Sequence, residues 1–308
     1  MRPPSQAVQT KTPIYCISRT GTVGSRKLVS AAPSASVTGS VTPYERHLFV
    51  ASPTAPAEWN TTCSTASNSS PFELLQQKLK ESKLSGTVKL TQFHLPEPLD
   101  SAPIGSHDVL LFPENLTFKL VTGLREVSGI ISYLETGAHA DVHPLHLPED
   151  NIYFFVCCHA KRDERCGRCG PPVLNALKDA ARACSRARAF GTVFVEGRAN
   201  VKIHVLACSH VGGHQFAGNV LVYPPGDWYG YVDPQDAQPL LQHYVRLQHE
   251  HRIRREAVLC DTSDAARLLQ IFPPLMGGVR CTWRGRVNLS KDATLAFGQA
   301  SGPSCCTT

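Results

Sequence analysis

Two short segments constrain this chain more than anything else in it. Ile152-Tyr-Phe-Phe-Val156 is a β-prone apolar run, followed at once by Cys157 and, after eight intervening residues, by Cys166. Val201–Ala207 is a second such strand, and it runs into Cys208-Ser209-His210-Val-Gly-Gly-His214. In a parallel or mixed α/β sheet, loops at the carboxyl ends of neighbouring strands converge, so two ligand pairs from two loops can enclose one metal centre. Gly212 and Gly213 let the backbone turn sharply and approach that centre with no Cβ in the way. They also argue against the helix on which a zinc finger presents a His-x3-His pair.

Two thiolates and two imidazoles suit either a zinc ion or a [2Fe-2S] cluster. The wide spacing of Cys157 and Cys166 favours the larger loop of a cluster, and it is a soft preference. The twelve cysteines admit two settings, a disulfide framework in an exported protein or thiols kept reduced for metal. No charged stretch followed by an apolar run opens the chain, and no apolar segment approaches the length of a membrane span. Reduced, metal-binding thiols inside a cell are therefore expected. The net charge of +6 is concentrated ahead of the first acid, Glu45, and no aromatic-interleaved basic stripe follows it, so no nucleic-acid partner is expected. The basic, acid-free, Ser/Thr-rich start reads either as an organellar transit segment, for a mitochondrion or plastid, or as a disordered tail of a cytoplasmic protein.

Along the chain, residues 1–38 form this tail, 39–140 an N-terminal α/β domain, 141–290 the metal-binding domain and 291–308 a flexible tail. The patterning predicts strands at 44–50 and 109–112 and helices over 72–79 and 124–134 in the first domain. In the second it predicts strands at 152–156, 201–207 and 220–223, a loop over 157–169, a helix opened by Pro171-Pro172 and running to about Arg188, and a helix from Asp233 to Leu247. Strand, loop, helix, strand, loop, strand, helix is the order of a compact layer resembling thioredoxin. The N-terminal domain carries no ligand pair and no fixed-period repeat is visible.

The runs VCCHAKRDERCGRCGPPV (156–173), CSHVGGHQFAGN (208–219), WYGYVDP (228–234) and WRGRV (283–287) resemble the sucrase/ferredoxin-like family, as do GSVTPYERHLFV (39–50) and DVLLFPE (108–114). The resemblance covers most of the chain beyond residue 39, and the HVGGH loop together with the cysteine-rich loop is specific. It implies a thioredoxin-like ferredoxin domain, preceded by a divergent α/β domain, with a [2Fe-2S] cluster held by Cys157, Cys166, His210 and His214. The family usually has a non-cysteine where Cys158 stands, which favours Cys157 over its neighbour. This chain departs from the family in a longer connection before HVGGH and an insertion near 248–278. Four ligands leave no open position, so the implied role is one-electron transfer or redox sensing, coupled to a proton through the imidazoles, with a donor or acceptor protein as partner and no small-molecule substrate.

Other readings attach to particular residues. Cys166-Gly-Arg-Cys169 before a helix has the placement of a redox dithiol, in a thiol–disulfide or zinc-binding protein. His159, Arg162, Asp163 and Arg165 either tune the centre through hydrogen bonds and charge or form an exposed charged loop. Trp228, Tyr229 and Tyr231 read as core or sheet-edge aromatics. A hydrolase would need two carboxylates flanking the scissile bond, and Glu196, Asp227, Asp233 and Asp236 show no such arrangement. Cys16, Cys63, Cys184, Cys208, Cys260 and Cys281 have no ligand spacing, and Cys305 and Cys306 fall in the tail.

Overall fold

The computed structural model describes residues 37–63, 70–96, 107–120, 124–138, 141–184, 192–195, 201–255, 269, 273–276 and 282–300. The strands are β1 (Arg46–Ser52), β2 (Val88–His94), β3 (His107–Phe112), β4 (Leu116–Leu120), β5 (Leu145–His146), β6 (Asn151–Cys157), β7 (Thr192–Val195), β8 (Val201–Cys208), β9 (Val220–Tyr223), β10 (Asp227–Gly230) and β11 (Thr282–Arg286). The helices are α1 (Pro71–Glu81), α2 (Leu124–Thr136), α3 (Glu164–Cys184), α4 (Ala237–Arg255) and α5 (Lys291–Ala300). All eleven strands belong to one mixed sheet, in the order β11-β10-β9-β6-β8-β2-β1-β3-β4-β5 with β7 beside β8.

The two halves of the sheet repeat one pattern. β1 lies parallel to β2 and antiparallel to β3, which pairs antiparallel with β4. β6 lies parallel to β8 and antiparallel to β9, which pairs antiparallel with β10. The hairpins correspond residue by residue: Val109-Leu-Leu-Phe-Pro113 answers to Val220-Leu-Val-Tyr-Pro224, and both X-Pro bonds are cis. Each hairpin then turns through a left-handed residue, Asn115 (φ 57°) or Gly226 (φ 78°).

Where the halves meet, β2 and β8 pair only at Phe93 and Cys208. The sheet folds over at that joint. β1 and β6 are three strand positions apart, about 14 Å in a flat sheet, yet Phe49 of β1 stacks on Phe155 of β6 at 3.8 Å. Phe112 stacks on Tyr223 at 4.2 Å in the same way. By the strand registers, Phe49 and Phe155, Phe112 and Tyr223, and Phe93 and Cys208 occupy matching places in the two halves. An approximate two-fold axis therefore relates them.

Three cores follow from this arrangement. One, with Phe49, Phe112, Phe155, Tyr223 and Trp228, fills the space between the facing halves. A second lies between the C-terminal half, α3 and α4, and a third between the N-terminal half, α1 and α2. Local signals place the helices. Ser70 caps α1 in a reciprocal box with Glu73, and Phe72, Leu75 and Leu79 are buried in the phase their spacing predicts. In α2, Val127, Ile131 and Leu134 are buried as expected, whereas Leu124 is 60% exposed.

Besides α4, which runs over Ala237–Arg255 rather than from Asp233 to Leu247, the structure departs from the sequence reading in three places. The expected loop 157–169 ends early, because α3 starts at Glu164 and contains Cys166, Cys169 and both prolines. The Asp163 carbonyl accepts from the Cys166 and Gly167 N–H groups, which closes the first turn well ahead of Pro171. Gly170 lets this turn lie on β6, since a Cβ there would sit 2.2 Å from the Cys157 carbonyl oxygen. Second, residues 291–300, read as the start of a tail, form α5, with Leu295 and Thr294 against Gly39 and Gly285. Third, Tyr231 is 40% exposed, just beyond β10, while Trp228 and Tyr229 are buried as expected. The β2, β4, β5, β7, β10 and β11 strands are not legible from patterning.

Candidate metal centre

The centre lies where the carboxyl ends of β6 and β8 meet the start of α3. Cys157 ends β6, buried, with Cys208 as its partner across the parallel ladder. Cys166 stands in the first turn of α3, also buried. His210 follows β8 directly, and its Nδ1 is 3.7 Å from the Cys166 sulfur. One ligand atom from each of Cys157, Cys166 and His210 lies within 4.8 Å of the others. The structure thus brings three of the four expected ligands together. His214 stands outside this group: its ring lies 5.6 Å from that of His210, nearly parallel, and its Nδ1 is 3.6 Å from Asp163. The adjacent-cysteine ambiguity has a geometric answer, because Cys158 faces the other way, into the core beneath α3 and α4.

The thiols are already differentiated. A hydrogen bond from the Cys166 thiol, joined by His210 and the Val211 N–H, holds Cys157 well below the ordinary thiol range despite its burial. Cys166, the donor of that pair, is pushed up. Burial raises Cys158 and Cys208. These contacts favour the thiolate form of Cys157, the form that binds metal.

Each ligand loop is held from outside. His159 is 1% exposed. Its Nε2 donates to the Asn60 carbonyl at 2.6 Å, which leaves Nδ1 to accept from the His210 N–H at 3.4 Å, with the Cys63 sulfur at 3.8 Å. The N-terminal half thus reaches the centre through the 59–63 turn, and of the two readings of the 159–165 loop His159 fits the first, a buried positioning residue. Asp163 ties the loop through three contacts with Arg165, and these hold its carboxyl down to about 2. Arg162 is exposed at the rim.

The His-Val-Gly-Gly-His turn needs its glycines for different reasons. Both are left-handed, at φ 91° for Gly212 and 66° for Gly213. A Cβ on Gly212 would meet nothing within 4 Å, whereas one on Gly213 would lie 2.4 Å from the Arg284 guanidinium. Asn219 links the two: its amide donates to the Gly213 carbonyl at 3.0 Å and accepts from Arg284 at 2.7 Å. Sequence reasoning missed Arg284, Asn219, Cys63 and Cys208 at the centre. The WRGRV run carries no signal for which arginine faces the centre.

The residues of the rival readings serve other ends. Cys169 is held in a disulfide while Cys166 is free, so these two do not pair with each other. Asp227 is fully buried and accepts from Arg286 at 2.7 and 2.8 Å, from Trp283 at 2.9 Å and from Tyr244 at 2.6 Å. Asp233 and Asp236 hydrogen-bond the backbone ahead of α4. Glu196, Cys16, Cys260, Cys281, Cys305 and Cys306 lie outside the described residues, as do most of 256–281. Among the described residues, no helix is long and apolar enough to cross a membrane.

A family model described as sucrase/ferredoxin-like matches residues 37–258. Among curated proteins, the chain is similar to altered inheritance of mitochondria protein 32 of Candida glabrata, at 31% identity over 30% of this chain and 28% of the relative. The same protein of Clavispora lusitaniae is 30% identical over 35% of this chain and 36% of the relative. Actin patches distal protein 1 of Saccharomyces cerevisiae is 27% identical over 31% of this chain and 30% of the relative. The chain thus spans about a third of the length of these relatives. No solved structure matches.

Proposed function

This chain belongs to the sucrase/ferredoxin-like family, and from that premise we propose that Cys157, Cys166, His210 and His214 hold a [2Fe-2S] cluster for one-electron transfer or redox sensing. The observation that carries the reading is the convergence of Cys157, Cys166 and His210 within 4.8 Å, with the His214 ring alongside. A donor set of two thiols and two imidazoles, gathered where β6 and β8 end and α3 begins, would suit a [2Fe-2S] cluster. When bound, such a cluster supplies a one-electron couple of raised potential, because neutral imidazoles replace two thiolates. The chain's own residues do the rest: hydrogen bonds to Cys157 favour its thiolate, His159 fixes the backbone at His210, and Asn219 fixes it at Gly213. His214, exposed at the rim, stands at the solvent side, where an electron and a proton can exchange with a partner protein.

The strand pattern of the C-terminal half, β6 flanked by parallel β8 and antiparallel β9 and then β10, supports a thioredoxin-like layout for this domain. The N-terminal half has the same layout and serves as its divergent companion. The mitochondrial names of the relatives, together with the basic, acid-free start of the chain, support a mitochondrial location.

A single zinc ion is the second reading, because three ligand atoms so close together also suit one tetrahedral ion. Anaerobic purification with iron and acid-labile sulfide analysis separates the two. Iron and sulfide in equal amounts, with an EPR signal of the reduced protein that shifts in His210→Cys and His214→Cys, is the expected result. Colourless protein holding zinc refutes the cluster.

A further inference from the structure

We propose that Arg284 is a built-in counter-charge of this centre, stabilising the cluster's reduced state over its oxidised state and thereby raising its potential. The inference rests on the cluster reading above. Its basis is a buried cation with no carboxylate. Arg284 is 2% exposed. Its guanidinium donates to neutral acceptors, the Asn219 side-chain oxygen at 2.7 Å, the Ser40 hydroxyl at 3.0 Å and the Ser40 carbonyl at 3.1 Å. Its faces pack on the rings of Phe216 at 4.5 Å and Trp228 at 5.4 Å. Among the described residues no ion pair involves it.

A desolvated charge of this kind is costly unless something nearby compensates it. The neighbouring Arg286 shows the ordinary solution, since it sits as deep in the same strand and is paired with Asp227. Arg284 instead lies against the turn that carries His214, close enough to exclude a Cβ from Gly213. A second cation also lies over the Trp228 ring, the Lys89 ammonium, 5.5 Å from its centroid and 5.7 Å from that of Tyr44. It too has no ion pair among the described residues. Burial lowers both cations, Arg284 lowers Lys89 further, and Cys157 draws both the other way.

The consequence is a matter of sign. With two thiolates and two neutral imidazoles an oxidised [2Fe-2S] centre is neutral, and one electron makes it an anion. A fixed positive charge in a water-poor site favours the anion. A residue that merely braces the loop would not distinguish the two oxidation states.

The test is a redox titration, followed by EPR, of the full chain and its Arg284→Gln, Arg284→Lys and Lys89→Gln variants. Arg284→Gln keeps a neutral donor for Asn219, and its midpoint potential is expected to fall below the wild-type value with iron content unchanged. Arg284→Lys keeps the charge and loses the fork, and its potential is expected to stay near wild type. Lys89→Gln is expected to lower the potential by less. An unchanged potential in Arg284→Gln overturns the inference, as does an equal fall in Arg284→Lys, which would make the residue a brace. Should Arg284→Gln lose its iron, Lys89→Gln decides, and an unchanged potential there is also negative. Wild-type iron and sulfide content is read first, so that zinc-only protein, which removes the cluster reading and this inference with it, is distinguished from a cluster indifferent to Arg284.

Discussion

Replacing the two adjacent glycines of the metal loop one at a time should separate backbone strain from the bracing of that loop. In Gly212→Ala the new methyl meets nothing, so the cost is that of a left-handed alanine at φ 91°, about 1–3 kcal/mol. Gly213→Ala carries a comparable strain at φ 66° and adds a collision, because the Cβ would lie 2.4 Å from the Arg284 guanidinium. The guanidinium has to withdraw, and the 2.7 Å bond to Asn219, which itself holds the Gly213 carbonyl, is stretched or lost. Loss of one hydrogen bond from a charged donor adds about 1.5–3 kcal/mol. Urea denaturation of the two metal-free variants should therefore place Gly213→Ala below Gly212→Ala by about 2 kcal/mol. Metal content should fall further in Gly213→Ala, because the displaced turn carries His214. Equal stability and equal metal content in the two variants would refute the bracing of the loop by Arg284 and Asn219.

Three further outcomes follow from charge and burial. His204 is buried, its Nε2 has no partner among the described residues, and desolvation lowers its pKa from 6.5 to about 3. The unfolded chain thus takes up this proton below pH 6.5 while the folded chain refuses it until about pH 3. Stability from this group is intact above 6.5 and is lost progressively as pH falls, by about 2 kcal/mol at pH 5. His204→Phe should lose correspondingly less between pH 7 and 5 in denaturant titrations, and parallel profiles would count against it. Arg286→Met strands the buried carboxylate of Asp227 and should cost about 3–5 kcal/mol in a melt, far more than an exposed arginine such as Arg125. The midpoint potential of the loaded protein should fall as pH rises, by up to about 59 mV per unit where one proton accompanies the electron; a flat profile across neutral pH would remove proton coupling through the imidazoles.

The parts of the centre that were legible in sequence are those encoded next to one another. A β-prone run followed by cysteine, and another followed by His-Val-Gly-Gly-His, point to strand ends and a tight turn without long-range information. The start of α3 was misplaced because Pro171-Pro172 is a strong local opener. What starts the helix earlier is the Asp163 carbonyl closing the first turn and Gly170 admitting it onto β6, and both depend on the packed structure. The bracing residues were illegible for a similar reason. Asn60 meets His159 across almost a hundred residues, and Arg284 meets Asn219 across 65. The repeat of the two halves is hidden in the sequence because only the β3–β4 and β9–β10 hairpins keep a constant offset, while β1 and β6, and β2 and β8, are offset differently. With residues conserved in type only over one hairpin, periodicity has nothing to detect until the strands are paired.

The two-fold relation also explains why one half carries the candidate ligands and the other does not. By register, the place of Cys157 at the end of β6 is taken in β1 by Ala51, and two residues past the Cys208 position, where His210 stands, the N-terminal half has Leu95. An apolar methyl and an isobutyl group cannot ligate a metal, so the N-terminal half has no equivalent centre of that kind. Its loop after β1 is instead free to extend across the joint, where Trp59 packs edge-on to the His159 ring and the Asn60 carbonyl fixes that ring's tautomer. Lys89 adds a charge from β2 to the same region. Cutting the N-terminal half away would therefore remove more than a neighbour: it would leave His159 without the acceptor that orients it and expose Phe155 and Tyr223, whose rings stack on Phe49 and Phe112. On these contacts the C-terminal half depends on its companion for both the geometry of its His210–His214 loop and the burial of its inner face.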